Sequence, residues 1–182
     1  MVAMTVLPRD HEWTVADLEA LPEDGLRYEL VDGTLLVSPA PTRLHQRCLS
    51  NLLWVLRQAC PPEFEVLPAP TDFQPTMRRS LQPDVLVCRR DDPGVKALTE
   101  PLLLAVEIVS PSSRSVDLVL KRELYGQAGV ASYWVVDPDV PSITVWDLDS
   151  GGFGEAIVVS GDAVLTVKLP FPMTVVPSAL LA

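Results

Sequence analysis

Apolar positions along the chain recur with two periods, and the switches between those periods mark out its elements. In "TVADLEAL", Val15, Leu18 and Leu21 share one helical stripe behind Thr14, and Asp17 follows the threonine by three residues. A capping residue followed by an acid in the first turn predicts a short helix here. Two β-prone runs then flank Asp32-Gly33 in "RYELVDGTLLVSPAP". That dipeptide tolerates the positive φ of a two-residue turn, so a hairpin is expected, ended by Pro39 and Pro41. Over residues 42–59, Leu49, Leu52, Leu53 and Leu56 return at helical spacing before Pro61-Pro62, which predicts the longest helix. "EFEVLPAPTDFQP" reads as one or two short strands broken by proline, "QPDVLVCRR" as a buried strand starting at Asp84, and "LLLAVEIV" as its neighbour. Between residues 115 and 127, Val116, Val119, Leu120 and Leu124 line one helical face, with Gly126 or Gly129 as the stop. "SYWVVDPDVPSITVWDLDSGG", "EAIVVS" and "AVLTVKL" supply further strands. Helices early and mid-chain with strands in runs predict an α+β fold with a mixed or mainly antiparallel sheet rather than a regular βαβ alternation.

Composition narrows the picture. The chain has 182 residues, 48% of them hydrophobic, which is enough for one domain over residues 1–182 with a substantial core. A formal net charge of −10 argues against a broad basic surface that would hold a duplex through phosphate contacts alone, and leaves room for a local basic cleft. The opening "MVAMTVLPRD" is interrupted too soon for a signal peptide, and no run approaches the length of a membrane span, so a cytoplasmic protein without a membrane partner is expected. Cys48, Cys60 and Cys88 are odd in number and lack C-x-x-C spacing, so they read as thiols rather than as a disulfide framework or zinc site. His11 lies in a polar leader that implies no chemistry.

Chemistry enters with two acids that interrupt apolar strands. Asp84 and Glu107 are each the charged residue of an apolar run, and an unpaired buried carboxylate costs several kcal/mol or takes up a proton. If the two strands pair antiparallel, the start of the first lies beside the end of the second and the carboxylates converge. Oxygen donors of this kind suit Mg²⁺ or Mn²⁺. The bland alternative pairs Glu107 with an arginine such as Arg114. Glu29, in "RYELVDG", is a third acid among apolar and aromatic neighbours. Lys121 is the cation that could point the same way, in a stripe with Asp117 and Tyr125 at i, i+4, i+8.

The runs "RYELVDGTLLVSPAPTRLHQR", "QPDVLVCRR" and "VEIVSPSSRSVDLVLKRELYGQAGVASYWVVDP" resemble, in order and spacing, the Uma family, described as restriction endonucleases and also as a domain of unknown function. The resemblance covers roughly residues 14–148 and rests on several separate motifs. It implies a restriction-endonuclease-like core of the PD-(D/E)XK phosphodiesterase superfamily, an α/β sandwich whose sheet is flanked by helices. The "PD" pair is matched by Pro83-Asp84 and the second acid by Glu107. The usual lysine would stand two residues on, where this chain has Val109; the resemblance places that role on Lys121 of the following helix. It further implies Glu29 as a supporting acid or a metal ligand through water, and His45 as a contact to phosphate or to a metal-bound water.

The reading that follows is a Mg²⁺- or Mn²⁺-dependent endonuclease acting on DNA. Asp84 and Glu107 hold the ion, Lys121 stabilises phosphoryl charge, Glu29 supports, and His45 and Arg114 meet the substrate. Arg43, Arg47 and Arg122 extend a local basic rim. A homodimer is the associated expectation, since two centres would address two strands. The rival reading is a catalytically silent protein that uses the same cleft to bind nucleic acid or a protein partner.

Overall fold

The computed structural model describes residues 5–6, 12–22, 25–38, 40–110 and 114–182; His11 and Pro39 lie outside them. Near the N-terminus, β1 (Thr5–Val6) is followed by α1 (Val15–Glu19), which Thr14 caps reciprocally with Asp17. The first β-hairpin joins β2 (Arg27–Val31) to β3 (Thr34–Ser38) through Asp32 and Gly33, both at positive φ, +45° and +76°. That is the backbone a two-residue turn demands. Next comes α2 (Arg43–Ala59), whose first turn is capped by the Thr42 hydroxyl accepting from the His45 N–H. Cys48, Leu52 and Leu56 form its buried stripe.

Strands β4 (Phe64–Pro68), β5 (Phe73–Thr76), β6 (Arg79–Leu81), β7 (Val85–Arg89) and β8 (Leu104–Ile108) lead to a helical segment. It begins as a π-helix over Val116–Lys121 and continues as α3 (Arg122–Gln127). The chain closes with β9 (Ser132–Asp137), β10 (Ser142–Asp149), β11 (Gly152–Phe153), β12 (Ile157–Ser160), β13 (Leu165–Val167), β14 (Met173–Val175) and a 3₁₀ turn over Ser178–Leu181.

The strands form two main sheets. The smaller runs β1-β3-β2-β6-β5; the larger runs β11-β10-β9-β8-β7-β4, with β12 also on β10, and β13 and β14 pair separately. Within the larger sheet β8 and β9 are parallel and their other pairings antiparallel, giving the mixed, mainly antiparallel α+β arrangement the pattern predicts. Both faces of β8 and β9 are covered, and each of their residues is buried. On one face Val85, Val87, Leu104, Val106 and Trp134 meet the α2 stripe and the C-terminal hairpin. On the other, Leu86, Cys88, Ala105, Tyr133 and Val135 meet Leu124, Tyr125 and Leu81.

Two expectations need correction. The strand after Pro83 begins at Val85, so Asp84 stands just ahead of it. More consequential is the facing of the mid-chain helix. Val119 and Leu120 are 65% and 39% exposed, whereas Asp117, Lys121, Leu124 and Tyr125 are buried. The charged i, i+4, i+8 stripe, not the apolar one, turns inward. Its charges find partners beneath it, and the wider π-helical turn changes which side chains share the inner side.

Candidate active site

Strand register brings the acids together. Val85 pairs with Val106 in the antiparallel β7–β8 ladder, which sets Asp84 opposite Glu107. By the two-residue period both project on the face of Leu86 and Ala105, the side covered by the π-helix and α3. Glu29 arrives from β2 of the other sheet, and Arg27, two residues earlier on that strand, shares its side. Lys121 and Tyr125 descend from the helix, and His45 enters from the first turn of α2.

The polar contacts interlock. Lys121 Nζ donates to Glu29 Oε2 and to Glu107 Oε1, each at 2.9 Å, and lies 3.8 Å from Asp117 Oδ1. The Tyr125 hydroxyl donates to the same Glu107 Oε1 at 2.8 Å. Glu29 Oε1 accepts the Gln82 N–H at 2.9 Å, so both oxygens of that buried carboxylate are held. Asp84 Oδ2 accepts the Ile108 N–H at 2.7 Å and faces His45 Nε2 at 3.1 Å. Arg27 Nη1 donates to Asp84 Oδ1 at 2.8 Å, while its Nη2 stands 3.9 Å from Glu107 Oε2. The guanidinium therefore bridges the two acids. Its Nε and Nη2, and Nδ1 of His45, are buried without a hydrogen-bond partner.

Electrostatics divides Asp84, Glu29 and Glu107. For Asp84, burial alone would raise the pKa, but the His45 hydrogen bond, the Arg27 charge and the Ile108 N–H hold it far below the usual range. Burial likewise opposes ionisation of Glu29, and Lys121 and Arg27 outweigh it. Glu107 is the exception. Burial pushes it up to about 8, and Asp117, Asp84 and Glu29 add to the push against Lys121. Lys121 itself stays charged, since Glu107, Glu29 and Asp117 overcome its desolvation. Burial and the Glu107 charge raise Tyr125 well above the ordinary phenol range, which keeps its hydroxyl a donor.

Among the residues picked from sequence, Asp84, Glu107, Glu29, Lys121 and His45 thus converge. Arg114 does not. It ion-pairs with Asp137, at the end of β9, and is not the partner of Glu107. Arg47 donates to the Leu181 carbonyl and Arg122 lies over the Trp146 ring, so the basic rim is dispersed; Arg43 is exposed at the start of α2. Sequence reasoning missed Arg27 and set Tyr125 on the Lys121 stripe without giving it a role at the acids. A signal for Arg27 was present: it stands at i−2 from Glu29, on the same side of one strand.

The donor chemistry fits a hard divalent cation. Among the described residues no three His, Cys, Asp or Glu side chains are already arranged as a chelate. Two converging carboxylates are nonetheless what Mg²⁺ commonly takes from a protein, with water and substrate oxygens completing its shell. Charge agrees with this: among the described residues the cluster gathers the buried acids Glu29, Asp84, Glu107 and Asp117 around Lys121 and Arg27, with His45 on Asp84.

Comparison with known proteins places the chain. None of the curated proteins matches it. A crystal structure described as a putative nuclease belonging to DUF820, from Anabaena variabilis, superposes with a TM-score of 0.76 at 19% identity, covering 92% of this chain and 97% of that one. The likeness shows a shared fold. The model of the Uma2 family, described as "Putative restriction endonuclease", matches residues 15–179. That span takes in the larger sheet, all of the smaller one but β1, and each converging side chain, and the chain belongs to the Uma2 family.

Proposed function

We propose that the chain is a metal-dependent endodeoxyribonuclease whose site is the cluster around Asp84 and Glu107. The observation that carries the reading is the pairing of Asp84 opposite Glu107 on one sheet face, with the Lys121 ammonium on Glu107. Asp84 and Glu107 would hold Mg²⁺ or Mn²⁺. Such an ion supplies Lewis-acid polarisation of a phosphodiester oxygen.

The chain's own residues would orient and charge-balance the reaction. Lys121, kept cationic by Glu29, is placed to stabilise negative charge developing on the phosphoryl group. Tyr125 and the Ile108 N–H fix one oxygen of each metal-holding carboxylate. His45 Nε2 faces Asp84, and its buried Nδ1, without a hydrogen-bond partner, would donate to a phosphate oxygen. The exposed Arg43 and the half-exposed Arg114 would act as outer contacts to the DNA backbone. The same reading takes residues 1–182 as one domain working in the cytoplasm, as a homodimer when both strands are cut.

Incubating supercoiled plasmid with purified protein and Mn²⁺, beside Asp84→Ala, tests the proposal. Metal-dependent nicking by the natural sequence alone supports it; identical behaviour of the two proteins removes it. A second reading has its own observation: Arg27 and Lys121 already neutralise part of the acid cluster, as a silent binding protein would. Salt-sensitive DNA binding without cleavage, unaffected by Asp84→Ala, is its signature.

A further inference from the structure

We propose that Arg27 is the resident counter-cation of the two-carboxylate site and that a divalent ion binds by displacing its guanidinium. The inference rests on the metal-dependent reading above. Each acid has one oxygen committed and one left over. Asp84 Oδ2 is taken by the Ile108 N–H and His45, and Glu107 Oε1 by Lys121 and Tyr125. The remaining oxygens, Asp84 Oδ1 and Glu107 Oε2, are those that Arg27 bridges, at 2.8 and 3.9 Å. An ion shared by the two carboxylates would draw on these oxygens, where the guanidinium now lies, so the ion and the guanidinium would compete for one place.

Arg27 also has the features of an exchangeable partner. Its contact to Glu107 is longer than a hydrogen bond, and Nε and Nη2 are buried without acceptors, so its fork is poorly matched to the site. Its side chain is 25% exposed, which gives it a route outward. Lys121 is the contrast. It is buried, holds two carboxylates at 2.9 Å, and touches Glu107 only through Oε1. Divalent binding would leave Lys121 in place and free Arg27.

Calorimetric titration of the full chain with MnCl₂ tests this on the natural sequence, Arg27→Gln, Arg27→Lys and Asp84→Ala. Loss of the competing guanidinium in Arg27→Gln should tighten Mn²⁺ binding by about tenfold or more. Arg27→Lys keeps the charge but cannot span both oxygens, and should tighten binding by about threefold. Equal affinity for Arg27→Lys and the natural sequence, with only Arg27→Gln tighter, would reduce the effect to through-space charge and overturn displacement. Equal affinities across all three overturn it too, while leaving the metal site standing. Absence of Mn²⁺ binding in every variant, Arg27→Gln included, removes the metal reading itself and this inference with it. Binding by Arg27→Gln and, more weakly, by Arg27→Lys, absent from the natural sequence and abolished when Asp84→Ala is added, supports displacement. Should the arginine variants fail to fold, the natural protein suffices: the Arg27 side-chain Nε–Hε resonance must move on Mg²⁺ saturation, and an unmoved resonance with Mg²⁺ bound overturns the proposal.

Discussion

Glu107 is where the site's pH behaviour originates. Its carboxyl is held at about 8 in the fold against an ordinary value of 4.5, because burial and three neighbouring acids outweigh Lys121. A group whose folded pKa is raised contributes stability that is complete below the unfolded value and is lost as pH rises through the folded one. The metal-free protein should therefore lose stability between about pH 4.5 and 8 through this residue. Melting curves across that range should show a falling transition for the natural sequence and a flatter one for Glu107→Gln; parallel curves would mean that Glu107 ionises normally. Lys121 gives a second test at this scale. Removing it strands the Glu29 carboxylate in the interior and takes a donor from Glu107, so Lys121→Met should cost about 3–5 kcal/mol by urea unfolding. Adding Glu29→Gln to that variant should recover part of the loss, because the stranded charge is gone.

At the scale of elements, the segment from Val116 to Gln127 separates the apolar pattern from the observed facing. If Val119 packed inward as the pattern expects, Val119→Ser would be costly. Since it is 65% exposed, the substitution should change stability by no more than about 0.5 kcal/mol. Leu124, on the buried side, should lose about 2–5 kcal/mol as alanine. A large loss for Val119→Ser would restore the apolar face, whereas Leu124 is inward on either facing. The β2–β3 turn offers an independent check on what positions Glu29. Gly33 stands at φ +76°, and a Cβ there would meet the Arg78 guanidinium at 3.3 Å. Gly33→Ala should cost about 1 kcal/mol or more, read from the unfolding midpoint.

For the molecule as a whole, what could be read in the sequence and what could not follow from the range of the interactions. The hairpin, the long helix and the β7–β8 pair are written in local signals: Asp32-Gly33, the leucine repeat before Pro61, and two apolar runs of strand length. The convergence of Asp84 and Glu107 was legible because each breaks an apolar strand and antiparallel pairing leaves few registers. The inward turn of Asp117, Lys121 and Tyr125 was not. It depends on Glu29 arriving from a different sheet, 92 residues away in the chain, and no local period encodes such a partner. Arg27 was missed for the same reason, since its pairing with Asp84 joins the two sheets. Arg114 shows the converse error. Closeness in sequence to Glu107 made it a tempting partner, yet the strand end at Asp137 claims it.

The central claim is that these distant pieces assemble a divalent-ion site that cuts DNA. Its most direct test is Mn²⁺-dependent nicking of supercoiled plasmid by the natural sequence and by Asp84→Ala, with circular dichroism confirming that both are folded. Asp84→Ala removes a proposed ligand at the strand entrance and little core volume, so the account predicts nicking by the natural sequence, suppression by chelator, and loss of cleavage in the folded variant. Cleavage that survives in Asp84→Ala, or a folded natural protein that leaves plasmid intact at saturating Mn²⁺, would contradict it.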